Sequence, residues 1–197
     1  MNRLARALAS AAAGLARAPF AVVGGIAVSA RVEPRFTRDL DLAVSVVNDA
    51  GAEAIVRDMI ARQFHLQAVV EQEAIGRLAT ARLTAPDESD HGIVVDLLFA
   101  SSGIEPEIVA RADRLEVFSG VEAPVAQIGD LIALKLLARD DHTRPQDAVD
   151  LRALVAGAGD RDVVLARESV DLIARRGCAR GRDLAAALAA ALREFGG

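Results

Sequence analysis

The chain has 197 residues, a formal net charge of −5 at pH 7 and a 52% hydrophobic composition without Trp or Tyr. This length suits one domain, or a core with a small appendage, while the negative charge argues against a broad phosphate-neutralising surface. Six Phe are the only aromatic residues, which argues against sequence-independent stacking of single-stranded nucleic acid. One cysteine, Cys178, excludes an intramolecular disulfide and favours a cytoplasmic location.

The N-terminal segment is basic, rich in alanine and free of acidic residues, a composition shared with targeting sequences. Its apolar part is confined to residues 7–15 by flanking arginines, far short of the ~20 residues of a membrane span. Leu4 and Leu8 recur at helical spacing. We therefore expect a structural helix that packs on the domain, and no membrane segment.

The most informative stretch begins with a predicted apolar strand over residues 20–23, the pair Gly24-Gly25 and a predicted helix over residues 26–30. A glycine turn directly before a helix brings backbone N–H groups close to a ligand, which is typical of a phosphate-binding turn. The stretch lacks the third glycine of the dinucleotide fingerprint. A diglycine in isolation is more often an ordinary turn.

A second predicted strand carries Asp39 and Asp41. Side chains alternate along a strand, so these two acids share one face and Leu40 and Leu42 take the other. Two carboxylates about 6.6 Å apart along a strand can converge on one or two divalent cations. Solvated strand edges and calcium loops also space acids in this way.

Asp96 interrupts the apolar run 93–99, which predicts a buried strand. Burying a carboxylate without a partner is costly, so Asp96 needs a cation or a hydrogen-bond donor. In isolation such an acid is most often capped by neighbouring N–H groups. The presence of Asp39 and Asp41 favours a role beside them instead.

The rest of the chain divides into strands followed by helices. Before residue 126 the pattern predicts further strands over 64–70, 75–83 and 114–125, the last turning near Gly120, and helices over 50–62 and 104–112. After it the pattern predicts helices over 127–138, 145–156, 162–175 and 183–194. We predict an α+β fold with a core over residues 1–125 and a helical region over 126–197 packed on it.

Lys135 lies on the first of these later helices, and Asp147 and Asp150 lie one turn apart on the second. A lysine can act as a point charge on a bound phosphate. The ordinary alternatives are a solvated lysine, and surface acids that pair with Arg144 or Arg152.

A glycine pair after a strand, followed by Asp-x-Asp inside a strand, resembles the nucleotidyltransferase superfamily that includes DNA polymerase beta. The residues GGIAVS…RFTRDLDL are most similar to its AbiEii/AbiGii-type branch, the nucleotidyltransferase toxins of toxin–antitoxin pairs. That branch has a helical lysine followed by an alanine-centred turn and Arg…Asp-x-x-Asp, and the residues that fit are Lys135, Ala138, Arg144, Asp147 and Asp150. Superfamily members often have serine directly after the first glycine; here that place is Gly25, and the nearest hydroxyl is Ser29.

The resemblance implies a mixed β-sheet core and metal-dependent transfer of a nucleoside monophosphate from a nucleoside triphosphate to an acceptor hydroxyl. It implies that Asp39 and Asp41 bind Mg²⁺ or Mn²⁺, and that Asp96 completes the metal set or takes the acceptor proton. The implied catalytic residues are Asp39, Asp41, Asp96 and Lys135. The implied nucleotide-binding residues are Gly24, Gly25, Ser29, Arg38, Lys135, Arg144, Asp147 and Asp150.

The acceptor stays open at this point. The resemblance implies a tRNA 3′ end or a protein hydroxyl, and a cognate antitoxin as partner. The residues themselves support RNA only through an arginine cluster: Arg175, Arg176, Arg180 and Arg182. A small-molecule acceptor such as an aminoglycoside, and a non-catalytic nucleotidyltransferase-like binding module, are the alternatives.

Overall fold

A computed structural model describes residues 2–32, 34–86, 92–139 and 145–196. The strands are β1 (Phe20–Val23), β2 (Asp39–Val44), β3 (His65–Gln72), β4 (Arg77–Thr84), β5 (Val94–Leu98), β6 (Asp113–Phe118) and β7 (Val121–Val125). The helices are α1 (Arg3–Gly14), α2 (Gly24–Arg31), α3 (Asp49–Ala61), α4 (Glu105–Arg111), α5 (Ile128–Ala138), α6 (Pro145–Ala156), α7 (Asp160–Arg175) and α8 (Leu184–Phe195).

The strands form one mixed sheet in the order β3-β4-β5-β2-β1-β7-β6. Neighbours β2 and β5 run parallel, as do β1 and β7, and the other pairs are antiparallel. Helices flank this sheet, so the predicted α+β class with a mixed sheet is confirmed. The parallel pairing of β2 with β5 is the feature that matters for function, because it places two acid-bearing strands side by side.

Each predicted strand and helix is present, with small shifts at its ends. The boundary difference that matters most for the site is at α2, which begins at Gly24 instead of residue 26. Gly24 has φ +62°, a backbone conformation that a glycine adopts without steric cost. The chain therefore passes from β1 into α2 without an intervening loop.

The N-terminal segment forms the expected structural helix. The Asn2 side chain caps α1 by accepting a hydrogen bond from the Ala5 N–H at 2.7 Å. Leu8 and Ala11 are buried on the face that joins the core. Within the part of the chain that the structure describes, no helix is both long and apolar enough to span a membrane.

The later helices pack around α5, which contacts α6, α7 and α8 and also α2. A continuous cluster of buried side chains includes residues on both sides of position 125, among them Val22, Leu42, Ile132 and Leu154. The boundary between a core and a helical region therefore stays a prediction. For the site, the consequence is that α5 and α6 bring their polar side chains up to the sheet.

Candidate functional site

Three charged residues lie in a row across neighbouring strands. Asp41 on β2 is the register partner of Asp96 on β5, and Asp96 is in turn the register partner of Arg82 on β4. Residues directly opposite one another on paired strands point to the same face of the sheet. The fold thus brings together two acids and one arginine that are distant in sequence.

Asp96 is held by Arg82 through a two-pronged ion pair. The Nε of Arg82 donates to Oδ1 at 2.8 Å, and its Nη2 donates to Oδ2 at 2.7 Å. The hydrogen bonds and charge of Asp96 raise the pKa of the Arg82 guanidinium well above its usual range, and the charges of Asp39 and Asp41 add to this. The donor that a buried acid in an apolar strand requires is therefore supplied by a neighbouring strand.

Gly24 lies directly against the carboxylate of Asp41. A Cβ atom added at Gly24 would lie 1.9 Å from the Oδ2 of Asp41, well inside contact distance. Helix α2 starts here, and no side chain caps its N-terminus. A helix N-terminus with free N–H groups and the positive end of the helix dipole is suited to an anion.

Lys135 is fixed between two acids of α6. Its Nζ lies 2.7 Å from Oδ1 of Asp147 and 2.7 Å from Oδ2 of Asp150. Arg35, from the segment after α2, adds a second cation: its Nη2 donates to Oδ2 of Asp150 at 2.7 Å. Two cations and two carboxylates thus form a compact network between α2, α5 and α6.

The alternative that Asp147 and Asp150 are ordinary surface acids does not hold, whereas their predicted role in nucleotide binding stays a prediction. Their side chains are only 9% and 1% exposed, and their partners are Lys135 and Arg35. The burial comes from the packing of α6 against α5 and α8.

The structure also bears on the solvated-lysine alternative and on the two arginines suggested as partners of these acids. Lys135 is 12% exposed, so it is not a solvated lysine. Arg152 lies 5.6 Å from the Phe195 ring. Arg144 lies outside the described residues.

Five of the predicted site residues line a cavity of about 390 Å³. Its lining includes a glycine and six charged residues that matter for the site: Gly24, Asp41, Arg82, Asp96, Lys135, Asp147 and Arg180. Gly25 and Asp150 are buried behind this lining. One Asp147 oxygen, Oδ2, is buried without a hydrogen-bond partner among the described residues.

Three predicted residues line a different depression of about 810 Å³: Ser29, Arg38 and Asp39. The Ser29 hydroxyl donates to the Gly25 carbonyl at 3.0 Å and accepts from the Arg35 N–H at 3.2 Å. The guanidinium of Arg38 lies 5.4 Å from the centroid of the Phe36 ring. Ser29 and Arg38 therefore organise the segment before β2.

The divalent cation that the resemblance implies requires a set of oxygen ligands. Carboxylate oxygens are the ligands that Mg²⁺ and Mn²⁺ prefer, and Asp39 and Asp41 supply them from one strand. Asp96 does not fit, because both of its oxygens accept hydrogen bonds from Arg82. Over the described ranges, no group of three or more acidic, histidine or cysteine side chains is arranged to hold a metal.

Sequence reasoning missed Arg82, Arg35 and Glu105. Glu105 is 1% exposed and lines the 390 Å³ cavity; its Oε1 accepts from the Ser102 hydroxyl at 2.9 Å. A signal for Arg82 did exist: β4 and β5 are consecutive strands separated by a short polar sequence, and their antiparallel pairing places Arg82 opposite Asp96. The other two become evident only in the folded chain.

Three of the four arginines in the cluster near the last helix have partners within the protein. Arg175 pairs with Asp171 at 2.8 Å, and Arg176 pairs with Glu107 at 2.6 Å. Arg180 donates to the Ser101 hydroxyl at 3.1 Å. These contacts reduce the positive charge that the cluster offers to an RNA backbone.

Comparison with known proteins adds independent information. A family model described as "Nucleotidyl transferase AbiEii toxin, Type IV TA system" matches residues 6–196. An antigenic nucleotidyltransferase-like protein from Paracoccidioides brasiliensis has a similar structure, with a TM-score of 0.52 and 16% identity over 95% of this chain and 93% of that one. The antibiotic-resistance factor ANT(2'')-Ia aligns with a TM-score of 0.49 and 19% identity over 97% of this chain and 91% of that one. A search of curated proteins gave no significant match in sequence.

Proposed function

Because the chain belongs to the AbiEii family of nucleotidyltransferases, we propose that it transfers a nucleoside monophosphate from a nucleoside triphosphate to an acceptor hydroxyl, with Mg²⁺ or Mn²⁺. The observation that carries this proposal is the contact between Gly24 and Asp41. It puts a carboxylate and the N-terminus of α2 at one end of the cavity that Lys135 also lines. A phosphate-binding turn, an acid and a cation are the parts that nucleotidyl transfer requires.

The phosphate side of the proposed site consists of Gly24, Gly25 and Lys135. The first N–H groups of α2 would donate to phosphate oxygens, as at other helix N-termini. The ammonium of Lys135 has three N–H donors, and Asp147 and Asp150 fix its position. It would therefore reach a phosphate oxygen with little loss of conformational entropy.

Asp39 and Asp41 would hold the divalent cation, which when bound neutralises charge on the phosphates. The acceptor hydroxyl attacks the α-phosphorus in line with the leaving group, forms the new P–O bond and gives up its proton to water. The bond to the β-phosphate breaks, and pyrophosphate leaves with the electron pair. The chain's own contribution is to hold the phosphates and the acceptor in line.

For the acceptor we propose the 3′ end of tRNA, with a protein hydroxyl as the second choice. The family description places these proteins in type IV toxin–antitoxin systems, so a cognate antitoxin is the proposed partner and the cytoplasm the proposed location. A small-molecule acceptor such as an aminoglycoside would be drawn to the acidic chain by charge. The nature of the labelled product separates these acceptors.

The test is transfer of label from each of the four α-labelled ribonucleoside triphosphates, with Mg²⁺ or Mn²⁺, to total tRNA or to cell protein. We expect labelled product and pyrophosphate with at least one nucleotide, and loss of both in Asp41→Asn. Asp49→Asn is the matched control, because Asp49 pairs with Arg77 at 2.6 Å and does not line the cavity. Absence of product with every nucleotide, metal and acceptor class would refute the proposal.

One observation favours a nucleotide-binding module as the second candidate. Asp96 is neutralised by Arg82, so the three predicted acids do not form one ligand set. A protein that binds nucleoside triphosphate and releases no pyrophosphate would have this second function.

A further inference from the structure

We propose that Arg82 contacts the triphosphate as a fixed cation of this site, and that Asp96 is a positioning residue that holds Arg82 and does not bind metal. This inference rests on the proposed nucleotidyl transfer. It assigns a role to an arginine that sequence reasoning did not select, and it changes the role of the third acid.

Two hydrogen bonds and the strand register hold the Arg82–Asp96 pair in one geometry. Both oxygens of Asp96 accept from different nitrogen atoms of Arg82, at 2.8 and 2.7 Å. The two residues are register partners on paired strands, so the backbone itself sets their separation. A planar guanidinium held by two parallel hydrogen bonds has little freedom to rotate.

The burial of the two partners is unequal. The side chain of Asp96 is 10% exposed, whereas that of Arg82 is 48% exposed and lines the cavity with Asp41. A guanidinium has five N–H donors, and the pair uses the Nε and Nη2 groups. Arg82 thus anchors one edge on Asp96 and presents the rest of its positive charge to a ligand.

The charges around the cavity make such a cation useful. Lys135 is enclosed at 12% exposure and shared between two carboxylates, while Asp41 adds negative charge to the lining. A triphosphate entering beside these acids needs positive charge beyond one divalent ion. Arg82, at 48% exposure, is far more accessible than Lys135, and it lines the cavity together with Asp41; Arg180 is a third cation in the lining.

A metal role for Asp96 would demand that this pair be broken. A cation bound to Asp96 would have to displace two charged hydrogen bonds and leave a guanidinium beside it. Holding Arg82 needs no rearrangement. The two roles differ in what they predict for metal binding, which makes them separable.

The experiment compares Arg82→Ala, Asp96→Asn and the double variant with wild type. If Asp96 acts through Arg82, each single variant lowers kcat/KM for the nucleotide by about 100-fold, and the double variant loses little more. Arg82→Lys restores only part of the loss, because a lysine cannot form the two-pronged contact. Mn²⁺ titration followed by electron paramagnetic resonance gives the same number of bound ions and the same Kd in Asp96→Asn as in wild type.

A second pair on the same strand provides matched controls. Arg77 on β4 binds Asp49 through its Nε at 2.6 Å, and neither residue lines the cavity. Arg77→Ala and Asp49→Asn therefore keep wild-type kcat/KM. Thermal unfolding of every variant checks that the loss of activity is not a loss of fold.

Several results would overturn the inference. One is loss of a bound Mn²⁺ in Asp96→Asn, which would make Asp96 a metal ligand. Another is wild-type activity in Arg82→Ala, and a third is full additivity in the double variant.

Nucleotide affinity measured by calorimetry in the presence of EDTA does not depend on turnover. There Arg82→Ala weakens binding about tenfold while Arg77→Ala does not. An unchanged affinity in Arg82→Ala rejects the contact even if transfer itself is never observed.

Discussion

Two aspartate–arginine pairs in this protein have the same shortest distance and opposite surroundings. Arg82 lies 2.7 Å from Asp96 at the cavity, and Arg111 lies 2.7 Å from Asp130 between the helices. Asp130 is fully buried and accepts a further hydrogen bond from the Ser169 hydroxyl at 2.7 Å. Burial raises the pKa of Asp130, against the lowering effect of Ser169 and Arg111.

The difference between these pairs lies in which atoms remain accessible. Asp130 sits on α5 and its partners come from α4 and α7, so the pair ties three helices together. The Asp96 pair instead leaves its arginine half exposed beside a cavity. Bond lengths do not distinguish these two pairs, whereas the exposure of the arginine does, at 48% for Arg82 and 31% for Arg111.

The largest expected effect is on the cavity side of this comparison. Asp41→Asn should lower nucleotide transfer at least ~100-fold, since it removes a preorganised charge from the proposed metal and phosphate site. The initial rate with saturating nucleotide gives the measurement, and thermal unfolding should stay close to that of wild type. A variant that keeps the wild-type rate would remove Asp41 from the proposed site.

The next effect concerns the interior pair. Asp130→Ala leaves Arg111 without its carboxylate and should cost about 2 kcal/mol of unfolding free energy, below the value for a fully buried ion because Arg111 keeps partial solvent contact. Urea denaturation at pH 7 measures the loss. The folded variant should retain nucleotide affinity; a large drop in affinity at unchanged stability would contradict the structural role.

The smallest effect is a pH dependence with a known sign. The pKa of Asp130 in the folded protein lies above its ordinary value of 3.8, so the native state binds this proton more tightly than the unfolded chain does. Its contribution to stability is therefore present below pH 3.8 and is lost as pH rises through the raised pKa. The stability of wild type minus that of Asp130→Asn should fall over this rise in pH, as followed by urea midpoints.

Asp49 is a control whose contribution to stability changes with pH in the opposite direction. Its hydrogen bond with Arg77 lowers its pKa, so its contribution is present above pH 3.8 and is lost as pH falls through the lowered value. A difference for Asp49→Asn that follows the same direction as Asp130→Asn would show that the two environments have been misjudged.

The sequence was sufficient for the elements and for part of the site. Local patterns predicted every strand and helix, because alternation and helical spacing are set within a few residues. The glycine pair is a turn signal, Asp41 belongs to an Asp-x-Asp pattern, and Asp96 interrupts an apolar run. Their assembly around one cavity depends on the parallel pairing of β2 with β5, which no local pattern contains.

The parts that escaped prediction depend on distant partners. Arg35 and Asp150 are separated by 115 positions, and an acid on a helix reads as solvated until its partner is known. In the alternation of side chains along β4, Arg82 occupies a position typical of a solvent-facing residue. Only its place opposite Asp96 suggests a role for it. Buried charge is thus the property that the linear pattern conceals most effectively.

The close approach of Gly24 and Asp41 has a practical consequence. A single added methyl group at position 24 would require the space that an Asp41 oxygen occupies, and it would also strain the positive-φ backbone. The Gly24→Ala variant should therefore lose the proposed activity through a steric clash, while it keeps every ionisable group. Such a version suits work in which living cells must tolerate the folded polypeptide while its binding partners are being captured.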